Sequence, residues 1–318
     1  MSVAQVSSIS GQSLFSLVGP LEYAKGHGTG NDFVMVADPE NLHEITPEHV
    51  AAICHRHTGV GGDGLIRAVP SKYLAEGREI LETQPLAEWF MDYRNADGSI
   101  SEMCGNGVRV FVHFLVSEKL VNLPLGEKLY IGTRGGLKSV SRVPEGYAVD
   151  MGPWEFIVPE VARTNGLDAV VQTHGLEKSR GALSVSMGNP HTITAVASAE
   201  ELLGIDLSVD PLVDPLPPHG TNIEYVLPAE PLIEDGRGSL KMRVHERGVG
   251  ETLSCGTGAC AAVVATRHWA NASSTTQWTV EVPGGILGVE FSPGADGREN
   301  VILSGPAVLV SRGRISAE

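Results

Sequence analysis

The chain writes one stretch twice. Met103-Cys104-Gly105-Asn106-Gly107-Val108-Arg109 is answered by Ser254-Cys255-Gly256-Thr257-Gly258-Ala259-Cys260, with the two leading thiols 151 residues apart (255 − 104) in a chain of 318. Each copy is Cys-Gly-polar-Gly followed by a run with apolar residues on nearly every helical face, from Val108 to Val116 and from Ala259 to about Trp269. A helix that is apolar all round is a buried one. Two buried helices half a chain apart, each entered through a thiol and two glycines, point to two similar α/β halves facing each other; the spacing is far too long for a solenoid. Other features recur in the same order. Each half has a Gly-Asn turn between strands, Gly30-Asn31-Asp32 and Gly188-Asn189-Pro190-His191, and the offset places Asn95 on Glu246.

Local signals fill in the halves. Leu21–Lys25 and Phe33–Val36 read as strands around the first turn, and Thr46-Pro47-Glu48 starts a helix, with Thr as N-cap and Pro at the first helical position, that should run to about His57. Gly59-Val60-Gly61-Gly62-Asp63-Gly64 matches G-x-G-x-x-G, but it follows a helix and precedes a strand, the reverse of a dinucleotide fingerprint. It reads as a glycine-rich loop. Residues 70–88 carry charges and prolines and read as a loop-like insertion. Residues 1–20 hold no Lys or Arg and read as a flexible extension without the basic region of a secretory signal.

Composition excludes several classes. A formal charge of −15 argues against a nucleic-acid partner, and no apolar run reaches the roughly 18–20 residues of a membrane span. Four cysteines without zinc-like spacing suit free thiols in a reducing, cytoplasmic compartment and no metal site. Cys54 and Cys260 lie inside helices, where a small apolar filler is the ordinary role.

Cys104 and Cys255 read differently. A thiol at a helix mouth feels the unpaired N–H groups of the first turn, which favour thiolate. The glycines after it allow main-chain donors to approach a bound carboxylate and stabilise the enolate-like charge left by a departing α-proton. One thiolate can take a proton from one face of a carbon while the other thiol delivers one to the opposite face. That inverts the centre with no cofactor. Facing thiols could instead form a redox pair.

At these residues the sequence resembles the diaminopimelate epimerase family. The matching stretches are Gly30-Asn31-Asp32-Phe33, Gly59 to Gly64, Asn95-Ala96-Asp97-Gly98-Ser99, Cys104-Gly105-Asn106-Gly107, Met187 to His191, Asn222, Glu246 to Thr252 and Cys255-Gly256-Thr257-Gly258, in family order. At Gly64, where many members carry Gln, the chain departs from the pattern. The resemblance implies two pseudo-symmetric domains, each a mixed β-sheet or barrel curled around its cysteine-bearing helix. The first would cover 21–150 with about 305–318 returning to it, the second 151–304. It implies a homodimer that interconverts LL- and meso-diaminopimelate without a cofactor, in lysine and peptidoglycan precursor synthesis.

Carried over residue by residue, the resemblance makes Cys104 the donor and Cys255 the acceptor in the LL-to-meso direction, with His191 and Glu246 assisting their ionisation. Asn31, Asn95, Asn189, Asn222, Glu246 and Arg247 would hold the substrate's amino and carboxylate groups. Gly105, Asn106, Gly256 and Thr257 would supply main-chain donors. The nearest alternative is a proline or hydroxyproline racemase, whose first motif typically has His where this chain has Asn106. A thiol-switch protein on the same scaffold is the alternative from another class.

Overall fold

The computed structural model describes residues 20–294 and 296–315, so nearly all of the extension expected over 1–20 lies outside the described residues. The first half contributes β1 (Leu21–Gly28), β2 (Asn31–Ala37), β3 (Gly64–Pro70), β4 (Trp89–Asn95), β5 (Lys128–Thr133), β6 (Gly136–Val143) and β7 (Gly146–Pro153). After β8 (Glu155–Phe156) and β9 (Ala169–Gln172) come β10 (Arg180–Ser186), β11 (Pro190–Ala195), β12 (Leu212–Asp214), β13 (Asn222–Glu234) and β14 (Arg237–Glu246). The chain then adds β15 (Gly250–Thr252), β16 (Gln277–Val282), β17 (Gly285–Pro293), β18 (Glu299–Gly305) and β19 (Val308–Ile315).

The pairings show the symmetry directly. From β1 to β7 successive neighbours pair antiparallel, parallel, antiparallel, parallel, antiparallel, antiparallel. The series β10, β11, β13, β14, β16, β17, β18 repeats that sequence of senses without change. The equivalent strands β7 and β18 pair antiparallel and join the halves, and β19 returns to pair with β1. These are two pseudo-symmetric α+β domains in one continuous strand network.

Each parallel pair needs a crossover, and helices supply it. In the first half α1 (Pro47–Cys54) joins β2 to β3 and α3 (Gly105–Ser117) joins β4 to β5; α5 (Ala199–Gly204) and α6 (Gly256–Trp269) do the same in the second. Thr46 caps α1 through a reciprocal capping box with His49. The helix ends at Cys54 rather than near His57, because His55 turns extended and Gly59 closes back onto its carbonyl.

Residues 70–88 are not a loop. A 3₁₀ turn (Ser71–Tyr73) leads into α2 (Ala75–Thr83), and Gly77 is what lets the two pack, since a Cβ there would stand 2.3 Å from the Ser71 carbonyl oxygen. The flanking prolines masked a short helix-forming run. A further short helix, α4 (Pro159–Asn165), ends on Gly166 in the left-handed region. Among the described residues no helix is long and apolar enough to cross a membrane.

The core lies around α3 and α6. From Gly105 to Val112 every residue of α3 is buried, as is every residue of α6 from Gly258 to Arg267. β1, β2, β3, β7 and β19 wrap α3, whereas β10, β11, β13, β14, β16, β17 and β18 wrap α6. Each fully buried Val or Phe on these helices contributes about 1.5–3 kcal/mol relative to exposure, which offsets the poor helix propensity of their glycine-rich first turns. The two helices point their N-termini at one another: a Cβ on Gly256 would lie 3.6 Å from the Gly105 Cα.

Candidate active site

Both repeated thiols are N-caps. The Cys104 Sγ accepts a hydrogen bond from the Gly107 N–H at 3.5 Å, and the Cys255 Sγ accepts one from the Gly258 N–H at 3.4 Å. The N–H groups of Gly105 and Asn106, and of Gly256 and Thr257, have no intrahelical acceptor, as at any helix start. All four cysteines are free. Cys54 and Cys260 sit in the core, where burial pushes each thiol up to about 12.

The two helix mouths open on one cavity of about 1120 Å³ between the halves. Cys104, Gly105, Asn106, Cys255, Gly256 and Thr257 line it, as do Asn31, Asn95, Asn189, Asn222, Glu246 and Arg247. His191 is the one candidate that does not. It is fully buried behind the wall, with Nε2 at 3.1 Å from the Asn189 Oδ1 and Nδ1 at 2.7 Å from the Glu224 Oε1.

The first-half wall is braced from the glycine-rich loop. Asn31 donates to the Asp63 Oδ2 at 2.7 Å, which turns its Oδ1 toward the Cys104 Sγ at 3.3 Å. Asp63 is held in turn by the Arg56 guanidinium at 2.6 Å, and Arg56 also pairs with Asp32. Burial alone would raise the Asp32 carboxyl, but hydrogen bonds from Arg56 and Lys25 overcome it and hold it down at about 2. The loop that mimics a dinucleotide fingerprint is thus the support of Asn31. At Gly64 no side chain fits, because a Cβ would lie 2.6 Å from the Tyr93 ring and 2.4 Å from the Arg94 carbonyl oxygen. Tyr93 itself lines the cavity.

Two candidates are committed elsewhere. The Asn106 side chain turns away from the cavity centre, donating to the Ser254 carbonyl at 3.0 Å and accepting from the Arg109 guanidinium at 2.9 Å, so only its main chain faces the helix mouth. Arg247 bonds the His219 carbonyl, while its own N–H donates to the Asn222 Oδ1 at 3.0 Å. Asn95 donates to the Ser99 Oγ at 3.0 Å, and Asn189 donates to the Thr257 Oγ1 at 3.4 Å.

Burial decides the electrostatics. It pushes the Cys104 thiol up to about 11, against the Gly107 N–H, and the Glu246 charge adds to the rise. Cys255 is pushed well above the ordinary thiol range by burial, then by Glu246 and Glu224, with Thr257 and Gly258 opposing. The helix-mouth donors act in the expected direction and are outweighed. Glu246 is itself raised by burial, partly offset by its hydrogen bond from Thr252. Burial therefore favours the protonated form of both thiols.

Glu224 is the residue that sequence reasoning missed. One donor atom each from His191, Glu224 and Cys255 lies within 4.8 Å of the others. Two of the three are hydrogen-bonded to each other, and their 2.7 Å contact is shorter than the roughly 3.3 Å that separates nitrogen and oxygen ligands held at about 2.0–2.2 Å around a tetrahedral zinc ion. Glu224 reads as the polar face of an alternating strand in Asn222-Ile223-Glu224-Tyr225-Val226. Only its pairing with β11 shows that this face is interior.

With that geometry in view, the family model for diaminopimelate epimerase matches residues 23–157 and 183–310. The chain belongs to the diaminopimelate epimerase family. It is 41% identical over 304 residues to the diaminopimelate epimerase of Streptomyces coelicolor, covering 93% of this chain and 96% of that one. It is 42% identical over 302 residues to that of Thermobifida fusca, covering 93% and 99%. Among solved structures, a PhzF-family phenazine biosynthesis protein of Bacillus anthracis superposes with TM-score 0.62 at 16% identity, over 94% of this chain and 99% of its own. A hydroxyproline epimerase of Agrobacterium vitis with bound trans-4-hydroxy-L-proline superposes with TM-score 0.60 at 13% identity, over 94% and 93%. At such identities these two share the fold alone, so the racemase alternative is not favoured.

Proposed function

We propose that this enzyme interconverts LL- and meso-diaminopimelate by two-base proton transfer at the α-carbon, with Cys104 and Cys255 as the two acid/base groups. The observation that carries this reading is one cavity with a free thiol at each of two opposed helix mouths. The substrate's α-carboxylate lies against the unpaired N–H groups of Gly105, Asn106, Gly256 and Thr257, which stabilise the charge that develops as the proton leaves. Asn31, Asn95, Asn189 and Asn222 position its polar groups. Arg247 receives a carboxylate once it exchanges its carbonyl partner.

The protonated resting thiols give substrate a part in their activation. An incoming ammonium offsets the charge of Glu246 in a water-poor cavity, where such effects are strongest, and so favours thiolate. His191 and Glu246 tune that ionisation. The step moves only protons, so the reading includes no cofactor and no metal. The wider reading is a cytoplasmic homodimer in lysine and peptidoglycan precursor synthesis, with domains at 21–150 plus 305–318 and at 151–304.

The test is incubation with LL-diaminopimelate in deuterated buffer under reductant, beside proline. Deuterium should enter the α-position as meso product forms, and Cys104→Ala and Cys255→Ala should each lose about 10²–10⁴-fold or more of the rate. Exchange on proline but not on diaminopimelate would overturn the substrate; full epimerisation by either variant would overturn the two-base mechanism.

A further inference from the structure

The matched strand senses allow the half-sites to be compared residue by residue; besides Asn95 opposite Glu246, they differ in kind behind the helix mouths. Gly107 and Gly258 each stand at the third position of their helix and each donate to the cysteine that caps it. A Cβ added at Gly107 would meet Met91 at 2.9 Å and Ile66 at 3.2 Å; one added at Gly258 would meet the Glu224 carboxylate at 2.5 Å. Ile66 on β3 and Glu224 on β13 are equivalent positions, since Phe33 pairs with Gly64 in one half as His191 pairs with Asn222 in the other. The first half therefore places Phe33 and Ile66 where the second places His191 and Glu224. All four are fully buried.

A carboxylate is an expensive way to fill that space. Glu224 uses one oxygen on His191 at 2.7 Å, and its Oε2 is buried with no hydrogen-bond partner among the described residues. A buried charge with an orphan lone pair loses stability that a hydrocarbon keeps, as Ile66 demonstrates in the same surroundings. What Glu224 has instead is proximity to the Cys255 sulfur.

We propose that Glu224, acting through His191, is a positioning residue that makes the two thiols inequivalent: it fixes orientation and charge around Cys255, whereas the equivalent positions in the first half, Phe33 and Ile66, carry only hydrocarbon. The charged groups facing each thiol agree. Cys255 meets Glu246 from β14, Glu224 from β13 and, beside it, His191 from β11; Cys104 meets Glu246 and the Arg109 guanidinium of its own helix. Two carboxylates, Glu224 and Glu246, disfavour thiolate at Cys255, against Glu246 alone at Cys104, where the Arg109 guanidinium favours it, so Cys104 is the thiol expected to ionise first. The inference rests on the two-base reading only for its kinetic consequence.

The experiment is pH-dependent alkylation by iodoacetamide, read separately at Cys104 and Cys255 by peptide mass spectrometry. It compares the wild type, Glu224→Gln, and the double variant His191→Phe/Glu224→Ile, which writes the first-half pair into the second half. Cys104 should react at lower pH than Cys255 in the wild type. Glu224→Gln removes a negative charge beside Cys255 and should lower its midpoint by about one pH unit, leaving Cys104 nearly unmoved. In the double variant the two midpoints should converge, and kcat/KM for epimerisation should fall at least about tenfold in both variants. If Glu224→Gln fails to fold, the double variant decides, because its pair already packs in the equivalent place. An unmoved Cys255 midpoint, an equal shift at both thiols, or wild-type kcat/KM in the double variant would overturn the proposal. Alkylation needs no substrate, so thiol shifts as stated with no turnover of diaminopimelate by the wild type would overturn the function and leave this inference standing.

Discussion

Replacing Arg109 by methionine is the sharpest test of how the two halves are held together. Its guanidinium is fully buried and, among the described residues, pairs with no carboxylate. It donates to the Asn106 Oδ1 at 2.9 Å, the Gly105 carbonyl at 3.2 Å, the Thr29 Oγ1 at 3.4 Å and the Pro306 carbonyl at 3.5 Å. Asn106 and Thr29 then reach across to Ser254, at 3.0 Å to its carbonyl and 2.7 Å to its hydroxyl. One side chain thus ties the mouth of α3, the β1–β2 turn and the returning chain to the loop that precedes Cys255. Burial pushes the Arg109 guanidinium down to about 10, which still leaves it charged at neutral pH. Methionine fills the volume and removes the desolvation cost, but it orphans buried acceptors. Only the 2.9 Å bond is short enough to count in full. An orphaned buried acceptor costs about 1–3 kcal/mol, and the longer contacts add less, so the net loss should be roughly 2–4 kcal/mol. At about 2.1 cal/mol/K of unfolding entropy per residue, a chain of 318 loses roughly 3–6 °C of melting temperature for that change. Urea unfolding and scanning calorimetry on the reduced protein measure it. The loss should come with slower epimerisation, since Asn106 leads directly to the Gly105 mouth, and with a Cys104 that ionises at higher pH once the nearby cation is gone. Unfolding free energy within about 0.5 kcal/mol of wild type would refute the reasoning, because a surface change is worth that much.

Two further outcomes follow from the same geometry. Stability should fall steeply in alkaline solution: buried thiols keep their protons in the folded state to about 11 at Cys104 and about 12 at Cys54 and Cys260, whereas the unfolded chain releases them near 9. The folded state then binds more protons above pH 9, so each thiol's contribution is intact below that pH and is lost, at about 1.4 kcal/mol per pH unit, up to its folded value. Denaturant titrations from pH 8 to 11 on the wild type and on Cys54→Ala/Cys260→Ala should give a shallower fall in the variant; parallel curves would count against it. Asp63→Asn should weaken epimerisation about tenfold by releasing Asn31 from Cys104, with little change in stability because the Arg56 partner is more than half exposed. A large loss of stability with unchanged kinetics would mean that Asp63 supports the loop and not the site.

The repeated Cys-Gly-polar-Gly stretch made the fold legible, because few architectures bury two all-apolar helices half a chain apart and leave a thiol at the mouth of each. The cavity residues were legible for the same reason: turns and helix mouths are local, and local chemistry is written in consecutive letters. Arg109 looked like one polar residue in an apolar helix, and nothing adjacent in sequence shows that its partners come from residues 29 and 306. The helix at 75–83 was hidden by the prolines around it. The resting protonation of the thiols was not legible, because a helix mouth acts through a local dipole, while burial depends on what every other element brings to that point.

Those failures share a cause with the chemistry. Strand pairing and helix burial repeat in the two halves because they need only alternation and apolar faces, which duplicated sequence supplies equally to both. A reaction that inverts one carbon also needs a thiol on each side, and the repeat supplies that too. It cannot supply a difference between the sides. If the thiols were chemically equivalent, nothing in the protein would decide which one ionises first. The difference is made at equivalent, fully buried positions, with Phe33 and Ile66 on one side and His191 and Glu224 on the other. The carboxylate and the imidazole share one hydrogen bond at 2.7 Å, so introducing either alone would leave one more buried polar atom without that partner. The pair breaks the symmetry of the site behind one thiol while leaving the symmetry of the fold intact.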